Sequence, residues 1–146
     1  MRSGQFLSPS RFCHRKGISH TRLLELDRCG EVFSVVIDHR RYFPAVLADG
    51  SLNRPRLRRL LGRLPYGMPP IAKYFFLIGR RGSLADKSPL QATRRAKRYR
   101  IALRIADAEA DLVRLQTALN AGENSGVASR FDGPAFLLRM RATRAR

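Results

Sequence analysis

"FCHRKGISHTRLLELDRCGEVFSVVIDHRRYFP", residues 12–44, sets two short helical patterns around a Gly-Ile-Ser corner and follows them with an apparent β-hairpin. Just upstream, Ser8 offers a capping hydroxyl and Pro9 a fixed φ suited to the first helical position, so a helix is expected over 9–16. Gly17 supplies the turn that ends it, Ile18 can point back into a core, and Ser19 can cap a second helix starting at His20. Leu23, Leu24 and Leu26 form the expected apolar face of that helix, and Cys29 and Gly30 close it. "VFSVVI" (32–37) is a β-branched and aromatic run suited to a strand, Asp38 to Arg40 is turn-like, and "RYFPA" (41–45) returns.

The rest of the composition bounds what this unit can serve. The 146 residues carry 29 Lys plus Arg against 11 Asp plus Glu, a formal charge of +18, while 44% are apolar. A folded core and a strong excess of arginine together imply a polyanion or an acidic partner, with nucleic acid the first candidate. Cys13 and Cys29 lie in or beside apolar runs without metal-ligand spacing, which points to buried reduced thiols. "MRSGQFLSPSRF" lacks the apolar core of a signal peptide, and "YFFLI" (74–78) is too short to span a bilayer, so a cytoplasmic protein is expected.

Helix, sharp corner, helix and hairpin is the grammar of a helix-turn-helix with a wing. Ser19, His20, Thr21 and Arg22 occupy the start of the second helix, from which a recognition helix reaches base edges in the major groove. Arg28, at the end of that helix, and Arg40 and Arg41, at the expected hairpin tip, are placed to hold phosphates or enter a minor groove. The stretch resembles the winged helix-turn-helix of the MerR and excisionase type, over about forty residues. A helix-loop-helix-hairpin that merely packs is the structural alternative.

In the middle, "NRPRLRRLLGRLP" (53–65) starts with a proline and places Leu57, Leu60, Leu61 and Leu64 at helical spacing, leaving Arg56, Arg58, Arg59 and Arg63 on a basic outer face. "PYGMPP" breaks the chain, "IAKYFFLIG" resumes as a mostly buried helix, "RRGSLADKS" turns, and Ser88-Pro89 repeats the cap-plus-proline start. The run from Gly30 to Pro65, with "YFFLIG" and "SLADKSPLQA", is similar to the Xre/MbcA/ParS antitoxin type, in which an aromatic helix precedes a leucine-glycine loop and a "TPL" or "SPL" helix start. It departs from that pattern in having no tryptophan, Ala85 where glycine is usual, and arginine-rich sequence after Leu90.

From Pro89 to about Asn120 no Gly or Pro intervenes, and one long helix is expected. Ile101, Ile105, Ala108, Leu112, Leu115 and Leu119 make a heptad stripe, either a dimer seam or a face packed on the preceding domain. "RRAKRYR" through Arg104 is basic and could track phosphates, or be a solvated face; Asp107, Glu109 and Asp111 follow. The helix is expected to end around residues 120–122, "GENSG" to turn, and "FDGPAFLLRM" to form a short terminal helix from Pro134. This tail resembles the toxin-binding segment of ParD-type antitoxins: a leucine-rich helix, a "GE-SG" turn, "FD", then "AFL-R-R". The matching residues include Leu115, Leu119, Gly122, Glu123, Ser125, Gly126, Phe131, Asp132, Ala135, Phe136 and Leu137. The resemblance implies a ParE-like or other toxin as partner, bound through Leu115, Leu119, Phe131, Asp132, Phe136, Leu137 and Met140. ParD antitoxins usually begin with a ribbon-helix-helix domain, and no short strand with paired helices of that kind is legible here.

His14, His20 and His39 sit in basic surroundings with no carboxylate at helical spacing, and there is no phosphate loop, nucleophile elbow or metal quartet, so no catalytic residue, metal or cofactor is expected. The expected fold is mainly α with a small β-hairpin: a winged helix-turn-helix head (1–50), a helical middle (51–88), and a long helix with a ParD-like partner-binding tail (89–146). The expected function is a DNA-binding transcriptional regulator of antitoxin type, acting as a homodimer. Two alternatives stand beside it, a non-specific RNA-binding or ribosome-associated basic protein and a protein-interaction module for an acidic partner.

Overall fold

Hydroxyl caps set the first elements of the structure, a computed structural model that describes residues 4–126 and, beyond them, Gly133, Pro134 and Leu138. Helix α1 (Pro9–Lys16) starts where the Ser8 hydroxyl accepts from the Arg11 amide, and α2 (His20–Arg28) where the Ser19 hydroxyl accepts from the Arg22 amide. Between them Gly17 takes φ 69°, and the Gly17 and Ile18 amides donate to the His14 and Cys13 carbonyls, satisfying groups the helix end leaves open. Ile18 packs against the core, as expected. On α2 Leu23 and Leu26 are buried, but Leu24 is exposed. Leu24 is only one residue from Leu23, or 100° around the helix, so the two cannot share a narrow face.

Three strands form an antiparallel sheet in the order β1-β3-β2: β1 (Phe6–Leu7), β2 (Val35–Ile37) and β3 (Arg40–Pro44). The expected hairpin is therefore present with one strand more, because Leu7 pairs with Phe43 and Phe6 with Pro44. The turn is Asp38-His39 alone, with φ 48° and 61°; two left-handed residues in succession are the backbone of the tight turn whose twist suits a hairpin. Arg40 thus belongs to β3 rather than to the turn. Val32 and Phe33 are buried outside the strand, and the Val32 amide donates to the Leu26 carbonyl instead of to a strand.

A one-turn 3-10 helix (Ala45–Ala48) leads to α3 (Arg54–Arg63), capped by Asn53, with Leu57, Leu60 and Leu64 buried. Helix α4 (Pro70–Ile78) buries Tyr74, Phe76 and Leu77, and leaves Phe75 exposed. After a second 3-10 turn (Gly82–Leu84), Ala85 and Asp86 both adopt left-handed φ, 54° and 56°.

The helix expected from Pro89 to Asn120 is two helices. Helix α5 (Pro89–Ala92) opens with a reciprocal cap between Ser88 and Gln91, and α6 runs over Ala96–Asn124. The break lies at the buried Thr93: its hydroxyl donates to the Leu90 carbonyl at 2.7 Å, and its own carbonyl accepts from Arg56 at 2.9 Å. Side-chain and long-range partners thus replace the helical ones there. At the other end α6 continues through Gly122 to Asn124 before Ser125 turns, so the polar turn is shorter than "GENSG". Gly133, Pro134 and Leu138 are helical, and the rest of the expected terminal helix lies outside the described residues.

The chain divides into two units, Met1–Val113 and Arg114–Arg146. In the first, one core draws together Phe12, Leu23, Phe43, Leu60, Leu77, Leu84 and, from α6, Tyr99, Ala102 and Ala106. These last three are the most buried residues of α6; of the heptad stripe, Ile101 and Ile105 pack half-buried against the core and Ala108 is exposed. The acidic residues that follow hold the helix to its surroundings, Asp107 to Arg63 at 2.8 Å and Glu109 to Arg81 at 3.4 Å. The second unit begins within α6, where Leu115 and Leu119 are exposed. Both cysteines are free; Cys13 is half-buried, and Cys29, expected to be buried, is exposed because it caps α2.

Candidate nucleic-acid interface

The caps that begin α2 also aim its first turn. Ser19 holds the helix N-terminus through its hydroxyl, and His20, Thr21 and Arg22 follow it with exposed side chains, while Leu23 and Leu26 are buried. Arg22 bends along the helix to Glu25, 2.8 Å away, and that hydrogen bond raises the guanidinium's pKa, so it stays charged. Arg28 is exposed in the last turn.

The hairpin arginines are arranged differently from the expected tip. In β3, Arg41 lies opposite the exposed Val36 and Arg40 opposite Ile37, which packs against the core. Consecutive strand residues leave opposite faces, so the two guanidiniums do not act as one pair at the apex. Arg41 instead reaches Asp27 on α2, at 3.3 Å. The structure thus brings Ser19, His20, Thr21 and Arg22 together on one helical turn and ties Arg41 to the other end of α2 near Arg28, while Arg40 stands apart.

A larger basic feature lies beside α2. Arg22, Arg54, Arg56, Arg58, Arg59 and a single acid, Glu31, line a cleft of about 930 Å³. Arg56 is held as part of the fold, since its guanidinium stacks 5.3 Å from the centre of the Tyr99 ring and donates to the Thr93 carbonyl. Arg54, Arg58 and Arg59 are exposed, and none forms an ion pair among the described residues. The signal for these residues was the basic outer face of "NRPRLRRLL"; what the sequence lacked was the placement of that face next to Arg22.

The second unit supplies a different surface. Leu115 and Leu119, four residues apart on α6, are each more than half exposed, which leaves a leucine stripe without cover among the described residues. Phe131, Asp132, Phe136, Leu137 and Met140 lie outside the described residues.

Residues 92–146 match the family model described as bacterial antitoxin of the ParD toxin-antitoxin type II system and RHH. The match takes in α6 and the whole tail, including every residue on which the ParD resemblance rested, and covers less than half of the chain. Comparisons with curated proteins and with solved structures return no match. Within the ParD-like segment the described residues 92–126 contain no strand, so what matches there is helix rather than ribbon. No helix among the described residues is long and apolar enough to cross a membrane, and no group of three or more His, Cys, Asp or Glu side chains there could hold a metal.

Proposed function

We propose that the chain is a DNA-binding regulator of antitoxin type, with an operator-binding head and a toxin-binding tail. The match of residues 92–146 to the ParD antitoxin family carries this reading. The head is a winged helix-turn-helix made of α1, α2 and the β2–β3 hairpin. In it His20, Thr21 and Arg22 meet base edges, Ser19 orients the helix, and Arg28, Arg40 and Arg41 meet phosphates. The exposed first turn of α2 over a buried Leu23 and Leu26 supports that assignment, and the exchange of the exposed Arg22–Glu25 pair for a base or phosphate contact costs little in solvent.

The tail seats a toxin of ParE type or another class along Leu115 and Leu119, with Phe131, Asp132, Phe136, Leu137 and Met140 completing the contact. Leucines at helical spacing with no cover among the described residues are what a helix offers a hydrophobic groove. The protein acts as a homodimer in the cytoplasm, so that two heads meet two half-sites.

The test is fluorescence anisotropy on the DNA upstream of the coding sequence against a scrambled duplex, across salt concentrations. A preference of about a hundredfold for the upstream duplex is expected. Arg22→Ala should reduce that preference, whereas Arg40→Ala should weaken both duplexes alike and lower the salt slope by about one. Equal binding of both duplexes by the unaltered protein would refute operator recognition. In the same preparation the product of the adjacent reading frame should co-purify with the unaltered chain and not with Leu115→Asp/Leu119→Asp; retention by that variant would remove the leucine stripe from the toxin contact.

A further inference from the structure

We propose that the cleft beside α2 is a DNA-backbone clamp, in which Arg54, Arg58 and Arg59 of α3 grip the phosphates flanking the groove that α2 enters. The inference rests on the operator-binding reading and extends the footprint beyond the head to a helix that reading does not use.

Charge favours a polyanion here. Three exposed guanidiniums on one short helix, with no ion pair among the described residues and only Glu31 as an acid in the lining, repel one another in the free protein. A polyanion relieves that repulsion and releases its own counterions on binding. What sets Arg54, Arg58 and Arg59 apart from other exposed arginines is their convergence with Arg22 on one cleft.

Geometry agrees with charge. Arg54 and Arg58 are four residues apart on α3, about 6 Å along its axis, so the two guanidiniums are far enough apart to take separate phosphates. Arg22 shares the cleft, so the row adjoins the turn proposed to read bases. A strand edge leaving α2 would therefore pass the cleft. Five guanidiniums stand in the lining, and that of Arg56 is held in place on Tyr99 and Thr93 as part of the wall.

The full-length protein decides the matter in salt-titrated anisotropy on the upstream duplex. The variant Arg54→Gln/Arg58→Gln/Arg59→Gln is compared with Arg15→Gln/Arg80→Gln/Lys87→Gln, which removes equal charge from exposed residues outside the cleft's lining. The clamp variant should lose about 2.7 from the magnitude of the log–log salt slope, at about 0.9 per phosphate contact, and keep its preference for the upstream over the scrambled duplex. The control variant should keep the slope of the unaltered protein. Equal falls in both variants, or an unchanged slope in the clamp variant with specific binding intact, would overturn the clamp alone. No DNA binding by the unaltered protein would overturn the operator reading and the clamp together. Tighter binding to duplex RNA of the same sequence, lost in the clamp variant, would overturn the assignment to DNA. Circular dichroism of both variants should match the unaltered protein, since every substituted side chain reaches solvent.

Discussion

Gly17 and Ala85 adopt nearly the same left-handed backbone, φ 69° and 54°, with different side chains. A β-carbon at Gly17 would meet no neighbouring atom within 4 Å, so Gly17→Ala isolates the local cost of that conformation. It should destabilise the protein by about 1 kcal/mol in urea titration. Ala85→Gly removes the same strain and should stabilise by about 0.5 kcal/mol, the gain being reduced by the greater freedom of glycine in the unfolded chain. A second residue-scale prediction concerns acid. Hydrogen bonds from the Ser51 amide and hydroxyl, with Arg94 nearby, hold the Asp49 carboxyl below its usual 3.8. A depressed folded-state pKa adds stability that is present above the unfolded value and is lost as pH falls through the folded one. Thermal melts of Asp49→Asn should therefore lose less stability than the unaltered protein below about pH 4; parallel acid limbs would show that the Ser51 hydrogen bonds do not favour the charged carboxylate. Capping residues were legible at this scale because a hydroxyl and the amide three residues on are local neighbours. The left-handed Ala85 was not, since alanine carries no signal for it.

At the scale of the element, α6 tests which face a helix buries. Of the heptad stripe, Ile101 and Ile105 pack half-buried against the core, but the fully buried face is that of Ala102 and Ala106, with Tyr99 beside them. Small residues let the helix approach the core closely, and periodicity weighted toward large apolar side chains overlooks them. Ala102→Leu should cost about 1–3 kcal/mol by overpacking. Leu115→Ala and Leu119→Ala, made on exposed positions, should leave stability within about 0.5 kcal/mol. Chemical denaturation of the three variants measures both. A large loss in Leu115→Ala or Leu119→Ala would mean that the leucine stripe contributes to the folded chain rather than to a partner.

For the whole molecule the governing quantity is the net charge of +18. Self-repulsion destabilises so charged a chain, while the ion pairs described join side chains in contact with solvent, such as Arg63–Asp107 and Arg94–Asp49, which contribute little. Added salt screens the long-range repulsion more than these pairs lose. The melting temperature should therefore rise between about 10 and 150 mM sodium chloride, over which the screening length falls from about 30 to 8 Å. A fall over the same range would place the ion pairs above the repulsion. Duplex DNA, which neutralises the same charge, should raise the melting temperature further at low salt.

The sequence by itself determined the interactions that close within a few residues: the Ser8, Ser19 and Ser88 caps, the Gly17 turn, the Leu57, Leu60 and Leu64 face of α3, and the linear tail motif within the ParD-like segment. Each is written in residue type and short spacing, and needs no distant partner. Only the tertiary structure decided that Leu7 pairs with Phe43, that Arg56 reaches Thr93 across the break between α5 and α6, that Ala102 and Ala106 rather than the heptad residues are sealed in the core, and that the arginines of α3 adjoin Arg22. These depend on which surfaces meet once apolar area is buried, and residues far apart in the chain carry no local mark of that meeting.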